Sequence, residues 1–138
     1  MQAHSVDLMR ALLGGGHRVL LETNGTLSLG PVPHGVVKIM DVKCPSSGEQ
    51  MKTLTENFDL LTDDDDVKFV VRDRADFDFA LSVIRRHQLA SRSGIIFSPV
   101  WGQTPLDQLA SWVLQAGIEA RMQVQLHNVI WGGGATGV

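Results

Sequence analysis

Apolar and polar positions follow two alternating rhythms along this chain. Val6, Leu8, Met9, Leu12 and Leu13 fall at helical spacing behind Ser5, which predicts a capped helix over 5–13 that Gly14-Gly15-Gly16 ends. A short β-like run follows from Arg18 to Leu21. Pro31, Pro33 and Gly35 then break the chain before a second strand from Val36 to Met40. Met51 to Leu61 reads as helical, Asp63 to Asp66 as a solvated turn, and Val67 to Val71 as a third strand. Ala75 to Leu89 has the strongest helical pattern. It opens with acids and closes with Arg85, Arg86 and His87, as the helix dipole favours. Gly94 to Phe97 predicts a fourth strand. Thr104 and Pro105 predict the cap and first residue of a helix to about Gln115, which Gly117 stops, and Ala120 to Leu126 predicts a fifth strand.

Helix-then-strand repetition implies parallel strands joined by right-handed crossovers. The expected class is α/β: a partial barrel or open sheet of about five parallel strands with flanking helices. The chain of 138 residues is expected to form a single domain, 1–138, with 132–138 as a tail that is flexible or folds over a ligand.

Totals remove several classes. A net charge of -3 shows no sign of a nucleic-acid partner. No apolar stretch approaches the roughly 20 residues that cross a bilayer, so no membrane partner is expected, and no leader is visible at the start. Cys44 is the only cysteine. That excludes an internal disulfide, fits a reducing, cytoplasmic setting, and leaves no room for chemistry needing several thiolates.

Ligands of parallel α/β sheets bind at the carboxyl ends of the strands, so the polar strand ends are the candidate chemistry. Glu22-Thr23-Asn24-Gly25-Thr26 ends the first run; it can bind a polyol or amine, or form a tight turn. Asp41 and Lys43 share a face of the second strand, either as an ion pair plugging the sheet end or with Lys43 receiving a carboxylate or phosphate. Pro45, Ser46, Ser47 and Gly48 lead toward the next helical segment and offer an anion or hydroxyl site. Cys44 reads as a small half-buried filler rather than a nucleophile, because no base lies near it in sequence. The aspartate run lacks the alternating spacing of a calcium loop, so no metal is assigned to it. Ser98-Pro99-Val100-Trp101 and Gln125-Leu126-His127-Asn128 are two further strand ends, where Trp101 can stack on a planar ring and His127 can bond a heterocycle or serve a structural role. The significance of these ends lies in their convergence on one rim.

In this order the motifs resemble the 7-carboxy-7-deazaguanine synthase family of radical S-adenosylmethionine (SAM) enzymes. Glu22 to Thr26 looks like the family's fourth-strand motif, and Asp41 to Gly48 is similar to its fifth-strand motif. Ser98-Pro99-Val100 resembles a Gln-Pro-Val segment with Ser98 in place of glutamine. Gln125 to Trp131 resembles the closing motif, with Asn128 where lysine is usual, and Thr136-Gly137-Val138 looks like an Arg-Gly-Val ending. The resemblance implies a partial (β/α) barrel and a carbon–nitrogen lyase that converts 6-carboxy-tetrahydropterin to 7-carboxy-7-deazaguanine on the route to queuosine and related 7-deazapurines. It also implies SAM, a [4Fe–4S] cluster and magnesium; separately, a strand at Arg18 to Leu21 without the barrel strands before it exposes an edge, so a homodimer or larger assembly is expected. By the same resemblance Glu22, Thr23, Lys43, Pro45, Ser46 and Ser47 lie on the SAM side, and Ser98, Val100, His127 and Val138 lie nearer the pterin. No Cys-x3-Cys-x2-Cys loop and no Gly-Gly-Glu-Pro segment occur here, and Met1-Gln2 resembles the residues just after that segment. The expectation is therefore the C-terminal half to two thirds of the enzyme, inactive in isolation and holding no cofactor tightly. The competing reading is a non-catalytic α/β module that binds a nucleotide-like ligand or associates with itself.

Overall fold

The computed structural model describes residues 4–49 and 52–133. Its centre is a five-stranded sheet in sequence order, with every neighbouring pair parallel: β1 (Leu20–Thr23), β2 (Val37–Val42), β3 (Asp66–Val71), β4 (Gly94–Pro99) and β5 (Arg121–Met122). Helix α1 (Ser5–Gly14) precedes the sheet. Helix α2 (Arg74–Arg86) joins β3 to β4, α3 (Leu106–Ala116) joins β4 to β5, and α4 (Leu126–Trp131) follows β5. The α/β class and the parallel order match the expectation from the helix–strand rhythm, and a sheet that adds each strand to the same edge is consistent with a partial barrel.

The strand register separates the two faces. Asp41, Lys68, Ile96 and Arg121 are successive partners across β2 to β5, and parallel partners share a face. One residue along, Val42, Phe69, Phe97 and Met122 form the opposite row. Beneath that second face lies the main core, where Met40, Val67, Phe69, Val71, Phe77, Ile95, Phe97 and Leu109 are buried. Phe77 of α2 meets Phe97 at 5.0 Å between ring centroids and Trp112 of α3 at 5.7 Å, so both helices close over the same strands. On the first face Asp41, Lys68 and Val70 are only half-buried.

Several local expectations are corrected. Ser5 is the first residue of α1 rather than its cap; His4 holds the cap position at a φ of 64° with no side-chain capping bond. The first strand is Leu20–Thr23, because Val19 and Arg18 precede the paired stretch. In the 51–61 segment the structure forms a 3-10 turn over Thr55–Leu60, and Met51 lies outside the described residues. The turn is held by tertiary demand. Asn57 is fully buried, accepts from Leu29 N–H at 2.9 Å, and donates to Gly25 and Leu27 carbonyls at 3.0 Å.

The aspartate run is only partly solvated. Asp65 is 1% exposed and accepts from Lys38 N–H at 2.7 Å, Thr62 N–H at 2.8 Å and the Thr62 hydroxyl at 3.0 Å, with Lys38 Nζ at 2.9 Å. Asp66 already belongs to β3 and pairs with Arg121. Helix α2 ends at Arg86 with His87 as its C-cap, and Leu89 starts a separate 3-10 turn. Thr104 does not cap α3. Its hydroxyl lies 2.8 Å from the Val71 carbonyl and 2.7 Å from the Arg72 carbonyl, satisfying the end of β3, while Pro105 takes the cap position. Strand β5 has two residues rather than seven. Asn128 Nδ2 donates to Gln125 Oε1 at 2.7 Å and Asn128 N–H to the Gln125 carbonyl at 3.1 Å, which turns the chain into α4.

Candidate functional site

The carboxyl end of the sheet gathers the polar strand ends. After β1 the chain makes a tight turn: Thr23 Oγ1 accepts from Gly25 N–H at 3.2 Å, and Asn24 Oδ1 accepts from Thr26 N–H at 3.2 Å and the Thr26 hydroxyl at 2.9 Å. Gly25 has a φ of 67°, and a Cβ there would meet Met40 Sδ at 2.9 Å, so the position needs glycine on both counts. Thr23 and Asn24 are thus occupied within the turn, and Glu22 projects exposed from the strand beside Ile39.

At the end of β2 the side chains of Asp41 and Lys43 meet. Lys43 Nζ donates to Asp41 Oδ2 at 2.6 Å, and the lysine side chain remains 35% exposed. The other oxygen, Asp41 Oδ1, is buried without a partner. Beyond Lys43 the chain enters a 3-10 turn over Pro45–Ser47. The Ser46 hydroxyl donates to Asp76 Oδ2 at 2.5 Å and Ser46 N–H to Asp76 Oδ1 at 3.0 Å. Arg72 N–H also reaches Asp76 Oδ2, at 3.0 Å. The Ser47 hydroxyl donates to the Cys44 carbonyl at 2.6 Å and accepts from Glu49 N–H at 3.1 Å. Both serine hydroxyls therefore shape the loop. Cys44 is fully rather than half buried, and burial, with Asp76 and Asp41 adding to it, pushes its thiol up to about 12. Such a thiol is inert at neutral pH.

The ends of β4 and β5 enclose a cleft of about 460 Å³ lined by Lys68, Ser98, Met122, Gln123, Gln125 and His127, among others. Ser98 is 1% exposed and its hydroxyl has no partner. It is the register partner of Val70, two residues beyond Lys68, so Ser98 and Lys68 share the open face. His127 reaches this cleft from the short helix α4, not from a strand end. Val100 leads away from it; its N–H donates to the Val71 carbonyl at 2.9 Å. Trp101 is exposed, and Gly133 passes so close that any Cβ there would overlap its ring. Val138 lies outside the described residues.

The structure thus brings Ser98 and His127 into one cleft, and Asp41 and Lys43 into one pair. Ser46 and Ser47 sit in a loop held by α2. Sequence reasoning missed Lys68, Asp76 and Asn57. Lys68 was signalled by strand alternation, being opposite in phase to Val67 and Phe69; Asp76, three residues after Asp73, had the spacing of a capping pair. Asn57 had no local signal. Among the described residues, no group of three or more His, Cys, Asp or Glu side chains is placed to hold a metal ion. No helix among them is long and apolar enough to cross a membrane.

Fold and rim together define a class: a parallel α/β sheet of open-barrel type, with one face closed by helices and polar groups collected at the carboxyl ends of its strands. A scan against protein-family models finds no match. Among curated proteins, the chain is 42% identical over 140 residues to the 7-carboxy-7-deazaguanine synthase of Koribacter versatilis, covering 91% of this chain and 62% of that protein. It is 38% identical to the synthase of Chlorobaculum tepidum over 100% of this chain and 64% of the relative, and 41% identical to that of Methanospirillum hungatei over 90% and 51%. The chain is homologous to the 7-carboxy-7-deazaguanine synthase family along nearly its whole length. It spans 62%, 64% and 51% of these three relatives, so it is a partial-length match.

Proposed function

We propose that this chain is the cofactor- and substrate-facing portion of a 7-carboxy-7-deazaguanine synthase. The observation that carries the reading is the gathering of the family-like motifs at one end of the sheet, in a chain homologous to that family. In this reading the complete protein is a cytoplasmic carbon–nitrogen lyase acting on 6-carboxy-tetrahydropterin with SAM, a [4Fe–4S] cluster and magnesium.

The residues fit these groups unequally. A cluster held by three thiolates does not fit: Cys44 is the chain's only cysteine and it is buried. The cluster ligands of the complete protein then lie outside these 138 residues, and no step is routed through the cluster here. A zwitterionic ligand such as SAM does fit the end of β2. Lys43 supplies a cation, and the orphaned Asp41 Oδ1 supplies an acceptor for an ammonium. Glu22 and Thr23 border that position, and the Pro45–Ser47 turn, braced by Asp76, holds the loop in shape. When bound with a reduced cluster, SAM supplies the radical; this chain's part is to orient it. The pterin belongs in the cleft of Ser98 and His127.

The free edge of β1 supports self-association. Among the described residues β1 pairs only with β2, and Leu20 on it is 52% exposed. A second copy or a further strand covers such an edge, so a homodimer or larger assembly is part of this reading.

The test is calorimetric titration of two variants with two ligands, made in the complete synthase with its cluster-bearing part restored. Lys43→Ala is expected to lose SAM affinity by about tenfold, the value of one charge-assisted bond. His127→Ala is expected to weaken pterin binding while leaving SAM binding unchanged. Normal SAM binding by Lys43→Ala, or equal loss of both ligands in His127→Ala, overturns the assignment.

A further inference from the structure

Lys68 stands in an unusual electrostatic position. It lies mid-sheet on the Asp41–Arg121 face of β3, half-buried, and its ammonium makes no ion pair or hydrogen bond among the described residues. The two carboxylates nearest it on that face are each paired with another cation, and the third, Glu22, stands two strands away on β1. Its register partner Asp41 is held by Lys43, and Asp66, two residues back on the same strand, is held by Arg121. Its partner on the other side, Ile96, is apolar. On the same face and in the same cleft, the Ser98 hydroxyl is buried without a partner. A buried orphan hydroxyl beside an unpaired ammonium leaves two donors converging on one space, and native proteins leave few such groups unsatisfied.

We infer that Lys68 and Ser98 together seat a carboxylate of a small-molecule ligand in the cleft beyond β3 and β4. This rests on reading the carboxyl end of the sheet as the ligand rim, and adds the residue that recognises the ligand's charge. One cation and one hydroxyl match a single negative charge. The remaining polar lining, Gln123, Gln125 and His127, carries no second fixed cation, so a doubly charged phosphate is poorly matched. The cleft volume of about 460 Å³ is in the range that holds a small heterocycle. Lys68 is here a specificity residue: it distinguishes a carboxylated ligand from the same ring without the carboxyl group.

The experiment titrates the full chain with pterin-6-carboxylate, pterin, benzoate and inorganic phosphate, followed by calorimetry. The wild-type protein is expected to prefer pterin-6-carboxylate over pterin by about tenfold or more. Lys68→Gln should erase that preference while leaving pterin binding unchanged, Lys68→Arg should restore most of it, and Ser98→Ala should reduce it a few-fold. Lys68→Met serves as the neutral variant if the glutamine variant fails to fold. Equal binding of the two pterins, or a preference that survives in Lys68→Gln, overturns the role of Lys68 and leaves the pterin reading standing. Lys68-dependent binding of benzoate with no binding of either pterin supports the carboxylate seat and overturns the pterin reading. Phosphate binding tighter than that of either carboxylate, or no binding of any probe, overturns the seat.

Discussion

Strand β2 carries an aspartate–lysine pair at each end, and the two pairs are built differently. At the amino end Lys38 meets Asp65, whose carboxylate is 1% exposed and accepts from two backbone N–H groups, a hydroxyl and the ammonium. At the carboxyl end Lys43 meets Asp41, both partly exposed, and one carboxylate oxygen is left without a partner. The first pair is complete: it ties the entry of β2 to the entry of β3. The second is open and retains capacity for a further group. Two pairs with the same chemistry thus divide into structure and site, and the difference lies in how many of their lone pairs and protons the chain itself satisfies.

The largest expected effect breaks the complete pair. Asp65→Ala leaves two backbone donors and a buried ammonium without their acceptor, and should cost about 3–5 kcal/mol in urea unfolding. A loss below about 1 kcal/mol would mean the pair is ornamental and the contrast fails. Acid titration sharpens the same point. Burial alone would raise the Asp65 carboxyl, but the hydrogen bonds and charge of Lys38, together with Thr62 N–H, outweigh it and hold it below the usual carboxylate range. A depressed folded value contributes stability that is fully present above the ordinary carboxyl value near ~4 and is lost as pH falls through the folded one. Melting temperature should therefore fall on acidification below about pH 4, and Asp65→Asn should flatten that part of the profile. An unchanged slope in the variant would assign acid sensitivity to other carboxylates.

At the open pair the effect on folding should be small. Lys43→Ala is expected to change unfolding free energy by at most about 1 kcal/mol, as for exposed ion pairs, even though ligand affinity falls. A loss as large as that of Asp65→Ala would make Lys43 a structural residue. The smallest effect concerns Cys44, next to that lysine. Its buried thiol, pushed up to about 12, should resist a thiol-specific disulfide reagent at pH 8 in the folded protein and react only in denaturant. Rapid native labelling would show that the β2 end opens readily.

Much of this molecule was legible from local pattern. The period-two run of β3 and the amphipathic stretch of α2 appeared where expected, because each must bury one face and carries its own signal for doing so. The class followed from their alternation, and the family from motifs whose order could be read directly. The length of β5, the fate of the 51–61 segment and the task of Thr104 were not legible. The last two depend on partners distant in sequence: the turn at Asn57 on carbonyls about thirty residues away, and Thr104 on Val71 and Arg72.

The site divides along the same line. Sequence alone determined which residue types stand at the strand ends, because polar groups at the close of an apolar run must leave the core. Only the tertiary structure decided which of them are satisfied by the chain. It consumed Ser46 on Asp76 and Asp65 on Lys38, both pairs made across roughly thirty residues, and it left Asp41 Oδ1 and Ser98 without partners. A hydrogen bond depends on position in space to within tenths of an ångström, and that precision arises only when the strands are packed side by side.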